Sequence, residues 1–569
     1  MPTVGPARNA RLYKADGLSS QSLSFLSFPT PHYFLSFRVR HFSRSTKRVL
    51  FCIFTMAVLT FLDAAIQYSG GVKPRTAMIF VLLAALVYKY RSHAVGTRPR
   101  RDLKQPKGAI PFLGHMPLLA SIPGTKLYDF FEKQHRELGP VWSISLPFMG
   151  RMIQGDDPAM IEYVLKTNFW NYEKGELLRS TLADIYGRTF FVVDGEEWKF
   201  QRKLAMQVLN VNAFREYTSD VFVQEGQKVI DYLYKAADEG TIVDFQELML
   251  HYTLDTFTKI SVGKSFGCLD NIENDVPLAV AFDRLLSVSA GRITNPAWKI
   301  TEPLTGVTKT VKEDRDMIRK YYLEVIEERR QNGYHKTKKD MLQLVMEVMD
   351  DDGNPLSEDL IMDIVFQMTV AGRDTTAQGL SWMLYLLLRD GADKSVLKTL
   401  VQEVDDVLQG VEPTYDTYKR QKYGEACFNE AQRIYPGGPR NLKLCVSDDV
   451  LPGGVKIHKG EWFTWSPYVM GRSEHVWGPD VLEYKPSRWL NAERPPASKF
   501  VAFNVGPRTC PGQQFATCEA LTILGLILQS FELELVDSST VPAYGVSLTF
   551  PMLHGLPIRV HRRGAKEAE

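Results

Sequence analysis

The sequence has few cysteines, no excess charge of one sign and no low-complexity tract. Its six cysteines in 569 residues have no C-x-x-C spacing, so they indicate neither a disulfide framework nor a zinc motif. The 68 basic and 66 acidic residues give a formal net charge of +2, which predicts no nucleic-acid partner. We therefore expect a globular protein whose folded part lies in a reducing compartment.

The chain does contain enough apolar sequence for a large core. It is 44% hydrophobic, 11% aromatic and 24% charged, which excludes a mainly disordered or collagenous chain. Domains usually have ~100 to 200 residues, so the length of the chain suggests three or four of them. However, no linker or repeat divides residues 111–563. We predict one large domain there, followed by a short tail at 564–569.

Helical hydrophobic patterns dominate this domain, so we predict a mainly α fold with a small β subdomain. Residues 141–146 alternate as a strand, and residues 450–457 form two extended pieces around a Pro-Gly-Gly turn. The clearest helix begins near Ser357, a good N-cap. Apolar residues follow it at helical spacing on both sides of a polar block, residues 372–376.

The N-terminal region predicts a leader and then a membrane anchor. Residues 1–48 are basic and rich in serine, a bias that opposes packing, so we predict a disordered leader. Residues 49–90 contain two apolar runs, at 49–66 and 76–88, which predict one membrane span or a tight helical hairpin. The sequence is compatible with a start at Met1 or at Met56, and the second start would leave only the later run as an anchor.

A hinge follows the anchor. Residues 91–110 are basic and contain proline, which predicts a stiff connection to the domain. By the positive-inside rule, these charges would keep the domain on the cytoplasmic side of the membrane.

The most informative stretch is FNVGPRTCPG, residues 503–512, which surrounds Cys510 with loop residues. Pro511 suits the first position of an apolar helix, and a helix N-terminus stabilises a thiolate. Gly506 and Gly512 would let the backbone approach a flat ligand closely. One thiolate without further Cys or His ligands suits an axial haem ligand better than zinc or an iron–sulfur cluster. The alternative is a buried apolar cysteine in a loop.

Five residues of this stretch match the F-x-x-G-x-R-x-C-x-G loop of the cytochrome P450 family in full: Phe503, Gly506, Arg508, Cys510 and Gly512. The chain thus resembles a haem-thiolate monooxygenase, and further family motifs occur in order along residues 106–563. The resemblance implies the P450 fold, with haem b between a long distal helix and the Cys-ligand loop. It implies Cys510 as the axial iron ligand and the other four as cofactor-binding residues.

Two elements resemble the structural E-x-x-R and P-x-R-aromatic motifs of the family. Glu430 and Arg433 lie three apart on a helix that Pro436 ends, and Arg488 follows in PSRW. The resemblance implies that these three charged residues form a buried network with a structural role. A solvated helical pair is the alternative.

A further motif resembles the W-x-x-x-R that holds a haem propionate. Trp198 and Arg202 form it, four residues apart on one helical face. Lys443 is a departure, because many relatives carry a propionate-binding arginine there, and the change would weaken one haem contact.

The polar block AGRDTT, residues 371–376, resembles the distal-helix motif that faces dioxygen. In this motif the helix can open into a notch, where Thr375 would hold water and Asp374 would relay protons. These two are the predicted catalytic residues. Thr376 either shares the role or bonds its own backbone.

The resemblance implies that the enzyme inserts one oxygen atom from O2 into a C–H bond of a lipophilic substrate. Electrons would come from NADPH through a separate cytochrome P450 reductase, with cytochrome b5 as an additional donor to consider, because nothing in the chain resembles a flavin or nicotinamide domain. The implied location is the endoplasmic reticulum membrane with a cytosolic catalytic domain. The basic leader leaves a mitochondrial location as the alternative.

Finer resemblance concerns the substrate. Stretches such as NYEKGELL (171–178) and DDVLPGG (448–454) resemble the branch that hydroxylates fatty acids and alkanes at or near the terminal carbon in plants and fungi. Candidate walls of a long apolar channel are Phe190, Phe191, Leu548 and Phe550, which would look the same as core residues. A terpenoid, sterol or aromatic substrate is the alternative. An alternative from a different functional class is a non-catalytic haem-binding protein or an isomerase. The intact AGRDT motif argues against it, because such a protein would need no oxygen-activating notch.

Overall fold

The structure is a computed structural model that describes residues 74–209, 212–295, 297–331, 340–350, 353–491 and 493–564. The chain divides into two units, residues 1–83 and 84–569. Of the first unit, only residues 74–83 are described, within a helix. The predicted leader and the apolar run 49–66 lie outside the described residues, as does the tail from residue 565 onward.

Helices make up most of the second unit, as the sequence predicts. The helices, numbered in chain order, are α1 (Pro74–Lys89), α2 (Met116–Ala120), α3 (Leu127–Leu138), α4 (Pro158–Glu162), α5 (Gly175–Tyr186), α6 (Gly195–Leu209), α7 (Asn212–Glu239), α8 (Phe245–Val262), α9 (Pro277–Thr294), α10 (Trp298–Thr305), α11 (Val307–Gln331), α12 (Met341–Met346), α13 (Glu358–Leu388), α14 (Lys394–Leu408), α15 (Tyr415–Arg420), α16 (Lys422–Ile434), α17 (Pro467–Met470), α18 (Glu474–Trp477) and α19 (Gln513–Ser530).

Within the described residues, ten short strands form three sheets. The strands are β1 (Val141–Leu146), β2 (Gly150–Gly155), β3 (Tyr172–Glu173), β4 (Val243–Asp244), β5 (Asn441–Cys445), β6 (Asp449–Leu451), β7 (Val455–Ile457), β8 (Trp462–Trp465), β9 (Phe531–Leu535) and β10 (Pro557–Arg562). The largest sheet has the order β1-β2-β8-β5-β3, in which only β2 and β8 pair in parallel. A second sheet has the order β4-β10-β9, and β6 pairs with β7. The strands predicted at 141–146 and around 450–457 are confirmed.

Helix α13 is the centre of the fold. Its N-cap is Ser357, whose hydroxyl accepts a hydrogen bond from the amide of Leu360, as predicted. The first half of α13 packs into one hydrophobic cluster and the second half into another, and the polar block 371–376 lies between them. Helix α8 runs so close beside it that a Cβ on Gly372 would lie 2.3 Å from the Phe257 ring. Glycine therefore permits the approach of these two helices.

The predicted hinge packs onto the domain. Arg100 is 6% exposed and forms ion pairs with Asp102 and Glu461, while its Nη2 also donates to the carbonyl of Lys456 at 2.6 Å. These contacts attach the segment to the β7 and β8 region. The apolar run 76–88 lies in α1. Within the described ranges, none of the helices is both long and apolar enough to cross a membrane.

Candidate functional site

The loop before α19 leaves Cys510 exposed on one side, although protein atoms surround it closely on the others. The amide of Cys510 donates to the carbonyl of Phe503 at 2.8 Å, which closes the loop on itself. The backbone amides of Gly512 and Gln513 donate to the Cys510 sulfur and favour its thiolate. Burial has the opposite effect and is the larger one, so the pKa of the Cys510 thiol is raised. The positive charge of Arg202 acts with the amides to lower it.

The start of the helix after this loop differs from the prediction, and Gly506 makes a packing contact that the sequence did not indicate. The helix does not begin at Pro511, because residues 511–512 form a turn and α19 starts at Gln513. Gly506 has φ +70°, and a Cβ there would lie 2.1 Å from the carbonyl oxygen of Leu165. Its freedom is thus used for close packing against the protein's own backbone. Gly512 does lie beside the sulfur, since a Cβ there would be 3.9 Å from the Cys510 Sγ.

Helix α6 brings the predicted Trp198 and Arg202 to the same loop. Arg202 Nη2 donates to the carbonyl of Thr509, one residue before Cys510, at 2.6 Å. The Arg508 guanidinium lies over the Trp198 ring, 4.8 Å from its centroid. Residues far apart in sequence thus converge around the cysteine.

Arg508 is engaged mainly by the protein. Its Nη2 donates to Asp194 Oδ1 at 2.8 Å and to the carbonyl of Val193 at 2.7 Å, and its Nη1 donates to the carbonyl of Phe190 at 3.0 Å. Its Nε is buried without a hydrogen-bond partner among the described residues. Asp194 also accepts from the amides at the start of α5, so this carboxylate ties α5 to the cysteine loop.

A buried group of cations lies beside Arg508. Lys443, on β5, is 1% exposed, and its Nζ has no hydrogen-bond partner within the described structure. Burial and the charges of Arg508 and Lys174 hold the pKa of Lys443 well below its usual range, although Asp194 and Glu173 offset part of this. Burial likewise lowers the pKa of Lys174 to about 8.

This cation group fits a dianionic ligand. Neither Lys174 nor Lys443 forms an ion pair in the part of the chain that is described, and Asp194 is already bound to Arg508. A buried lysine keeps its charge readily only with an anion beside it, so the two amines favour binding of an anion with two carboxylates. The propionates of haem would satisfy that requirement, and the Cys510 thiolate could ligate its iron. The residues present therefore fit haem, and Lys174 is a member that sequence reasoning missed.

The distal motif lies in the middle of α13, which remains helical throughout. Most residues of α13 are buried, but Ala371 is exposed and Thr375 half-exposed, four residues apart on one face. The predicted opening of the helix is therefore absent from this stretch, and the notch is instead the accessible space beside that face. The Thr375 hydroxyl donates to the carbonyl of Ala371 at 2.8 Å. The alternative predicted for Thr376 was a hydrogen bond from its hydroxyl to the backbone of its own helix. Thr375 makes such a bond, whereas Thr376 Oγ1 makes no hydrogen bond within the described residues.

Asp374 lies next to this face in an ion pair. Its Oδ1 accepts from Arg373 Nη1 at 3.0 Å, and Arg373 also pairs with Asp283 on α9. Its Oδ2 accepts from Thr549 Oγ1 at 3.4 Å. Burial raises the pKa of Asp374, while Arg373 acts in the opposite direction. The carboxyl group is thus buried, and a cation favours its charged form.

The three charged residues predicted to form a network meet where α16 packs against the turn Pro486–Trp489. Arg433 forms two hydrogen bonds to the Glu430 carboxylate, at 2.8 and 2.9 Å, and both side chains are fully buried. Arg488 Nε adds a contact of 3.2 Å to the same carboxylate, and Trp489 Nε1 donates to its other oxygen at 2.9 Å. The indole donor was not predicted.

The four candidate wall residues separate into two groups. Phe550 is fully buried in an aromatic cluster with Trp382 and Tyr544, so its place as a channel wall is wrong and it is a core residue. Phe190 is also buried, whereas Phe191 is 37% exposed and Leu548 is half-buried. The last two are compatible with a channel wall.

Gly437, after α16, was not predicted as a site residue. A Cβ there would lie 3.4 Å from the Thr375 Cβ. The two consecutive glycines after Pro436 were the available signal for a backbone approach.

Comparison with known proteins identifies the class to which this fold and site belong. The family description Cytochrome P450 matches residues 104–551, and the chain belongs to this family. It is accordingly an oxidoreductase of the monooxygenase class, with haem held by a cysteine thiolate and O2 as co-substrate. Membership also implies a lipophilic small-molecule substrate and a redox partner.

Proteins similar to this chain occur in plants and in a fungus. The chain is 32% identical to cytochrome P450 monooxygenase cyp1 of Mycosarcoma maydis, over 86% of this chain and 80% of that protein. It is 32% identical to cytochrome P450 94B1 of Arabidopsis thaliana, over 74% of this chain and 84% of the relative. Cytochrome P450 86B1 of the same plant is 29% identical over 90% and 96%.

Proposed function

We propose that this monooxygenase hydroxylates a fatty acid or alkane at or near its terminal carbon. The observation that carries the catalytic part is the exposed Cys510 beside a buried cation group. The substrate part is supported by the stretches that resemble the terminal-hydroxylating branch, such as NYEKGELL. The relatives come from plants and a fungus, the groups in which that branch occurs.

In this proposal haem binds between α13 and the cysteine loop. Cys510 would ligate the iron through its thiolate, and Arg202, Trp198, Lys174 and Lys443 would hold the propionates. Lys443 thereby supplies the charge of the arginine that it replaces. Phe503, Gly506 and Arg508 hold the loop in shape, and Gly512 allows backbone donors to reach the sulfur. The haem supplies the oxygen-activating chemistry when it is bound.

The distal residues manage protons. The Thr375 oxygen, which still has an unused lone pair while its proton bonds Ala371, accepts a hydrogen bond from a water in the notch. Asp374 holds or releases a proton at Oδ1 or Oδ2, a general-acid role that the raised pKa favours. Because the positive charge of Arg373 opposes protonation of Asp374, proton transfer through Asp374 requires the Arg373–Asp374 ion pair to loosen.

Electron supply and location complete the proposal. NADPH would provide electrons through a separate cytochrome P450 reductase, with cytochrome b5 as an additional donor. The protein would lie at the endoplasmic reticulum membrane with its catalytic domain in the cytosol, and a mitochondrial location is the alternative. Supporting this, residues 91–107 contain six Lys or Arg and a single acid after the apolar run of α1.

Thr375→Ala is expected to bind haem and substrate normally but to lower product formation about 10-fold or more, because water and proton delivery in the notch are lost. NADPH consumed per product formed, with peroxide measured in parallel, tests this. Ser381→Ala is a matched control, since Ser381 lies on the same helix and makes the same hydroxyl-to-carbonyl bond, to Ala377 at 2.8 Å. Equal coupling of NADPH to product in both variants would remove Thr375 from the mechanism.

A graded series of saturated fatty acids tests the substrate. Each added methylene should tighten binding by ~0.8 kcal/mol, about fourfold, until the channel is full. Titrations followed by the haem spin-state change give the affinities, and mass spectrometry locates the hydroxyl group. We expect terminal and adjacent carbons to react despite their stronger C–H bonds, because the channel excludes mid-chain approach. Turnover of a compact terpenoid, sterol or aromatic compound, without response to any fatty acid, would favour the alternative substrate.

A further inference from the structure

A half-buried arginine lies on the segment that joins α16 to β5. Gly437, near the start of this segment, packs so closely that a Cβ there would be 3.4 Å from the Thr375 Cβ. Gly438 follows it and is half-buried, and a Cβ there would meet no atom of the described residues within 4 Å. The open space beside Thr375 therefore continues along the segment toward Arg440, which is half-buried as well.

The Arg440 side chain is fixed by two neighbours and keeps most of its donors free. Its guanidinium carbon lies over the Phe131 ring of α3, 3.9 Å from the ring centroid. Its Nη2 donates to Gln154 Oε1 on β2 at 3.3 Å. Among the described residues, Arg440 makes no other hydrogen bond and no ion pair. Because each guanidinium nitrogen carries N–H donors, most of them remain available to a ligand.

The carboxyl group that acts on this arginine, Asp156, does not form an ion pair with it. Asp156 is 1% exposed and accepts hydrogen bonds from the Ser466 amide at 2.7 Å and from Gln154 Nε2 at 3.1 Å. The Gln154 side chain thus lies between the two groups, with its nitrogen toward Asp156 and its oxygen toward Arg440. Burial raises the pKa of Asp156 to about 7 and lowers that of Arg440 to about 10. At neutral pH the guanidinium is therefore charged, whereas Asp156 is only partly ionised.

Binding of the haem propionates does not account for Arg440. Lys443, three residues later on β5, belongs to the cation group beside Arg508, but neither of these cations acts on Arg440. Along an extended chain, positions an odd number apart point to opposite faces, so Arg440 and Lys443 are directed to different sides of the sheet. Arg440 accordingly lies against α3 and β2, where it is available to a second anion.

We infer that Arg440 is a specificity-determining residue that binds the carboxylate of the substrate, so that the enzyme acts on free fatty acids in preference to alkanes or esters. The carboxylate would accept charge-assisted hydrogen bonds from the donors that Gln154 leaves unused. The acyl chain would then pass Gly438 toward the space beside Thr375. This inference rests on the proposed function and deepens it, because it states which end of the substrate is recognised and by which residue.

A matched pair of ligands tests the contact. Dodecanoic acid and its methyl ester have the same chain, but only the acid carries a charge. We expect wild type to bind the acid more tightly, and Arg440→Met to weaken acid binding about 10-fold or more while ester binding changes less than about threefold. Arg440→Lys keeps the charge without the planar fork and should lie between them. Titrations followed by the haem spin-state change, repeated by equilibrium dialysis of labelled ligand, give the affinities.

Two further variants make the comparison specific. Arg389→Met is the matched control, because Arg389 is also a half-buried arginine beside an aromatic ring, that of Tyr385 at the end of α13. It should keep the preference for the acid. Arg440→Gln removes the charge but keeps a polar side chain next to Phe131, and it replaces Arg440→Met if methionine lowers the yield of folded protein. Carbon monoxide difference spectra establish equal haem content before the affinities are compared.

The carbon that is hydroxylated gives a second reading. An anchored carboxylate fixes how far along the channel the chain reaches, so wild type should oxidise a narrow set of carbons. Acids too short to reach the haem from Arg440 should bind but turn over slowly. In Arg440→Met the products should spread over more carbons, and KM for the acid should rise more than kcat falls. A residue with only a structural role would change acid and ester alike.

The outcomes separate this inference from the proposed function. If fatty acids are hydroxylated near the terminal carbon but Arg440→Met and Arg440→Gln keep the wild-type preference for acid over ester, Arg440 is not the anchor and the proposed function stands. The same conclusion follows if Arg389→Met loses that preference equally. If wild type responds to no fatty acid and turns over a compact lipid instead, the proposed function fails and this inference fails with it.

Discussion

Cys510→Ala is expected to lose its haem and to yield mostly unfolded or haem-free protein. In our proposal this substitution removes the thiolate that ligates the iron. Haem would then be held only through its propionates, by the cation group of Lys174 and Lys443. Cys510→His supplies a nitrogen ligand at the same place, so haem can remain but without thiolate spectral character. The carbon monoxide difference spectrum of the reduced protein separates these outcomes.

Cys518→Ala is the matched control for this prediction. Cys518 is also a reduced cysteine near the start of α19, but it is buried in the core, and burial raises the pKa of its thiol to about 12. Its loss should leave the thiolate-type spectrum unchanged. An unchanged spectrum in Cys510→Ala, or its loss in Cys518→Ala, would contradict the assignment of the ligand.

Arg433→Ala is expected to destabilise the folded protein by about 3 to 5 kcal/mol. Glu430 would keep a fully buried carboxylate but lose its two hydrogen bonds to Arg433. Only Arg488, Trp489 and the backbone amide of Lys485 would still contact it. Because the haem loop folds on the same domain, haem content should fall together with soluble yield.

Urea unfolding of the holoenzyme measures this effect, and Arg562→Ala provides the comparison. Arg562 also forms two hydrogen bonds to one carboxylate, that of Asp238, but both side chains are about half exposed. Water and salt screen such a pair, so its loss should have little effect. Equal destabilisation of both variants would show that burial of the Glu430 network is not the cause.

The parts of the site that lie within one element could be predicted from sequence. Glu430 and Arg433 are three residues apart on one helix, and Trp198 and Arg202 are four apart on another. Fixed helical spacing places each pair on one face. The strand at 141–146 and the turn at 452–454 were equally local. Local geometry is determined by neighbouring residues, so spacing is sufficient to predict it.

The contacts between distant segments could not be predicted. Arg373 pairs with Asp283 ninety positions earlier, and Lys174 approaches Lys443 through strands that pair only in the folded chain. Gly506 looked like a ligand-facing glycine, but only the structure shows that the Leu165 carbonyl occupies the space of its missing side chain. Burial decides these cases, and a single sequence does not reveal it.

The buried lysines beside Arg508 have a consequence for how the protein matures. Without an anion beside them these lysines either repel each other as charges or give up their protons, and both disfavour folding of that region. A dianionic cofactor bound there stabilises the folded state by mass action, in proportion to its concentration over its dissociation constant. The amount of mature enzyme in a cell would then follow the rate of cofactor biosynthesis, and polypeptide made faster than that supply would become a substrate for proteolysis.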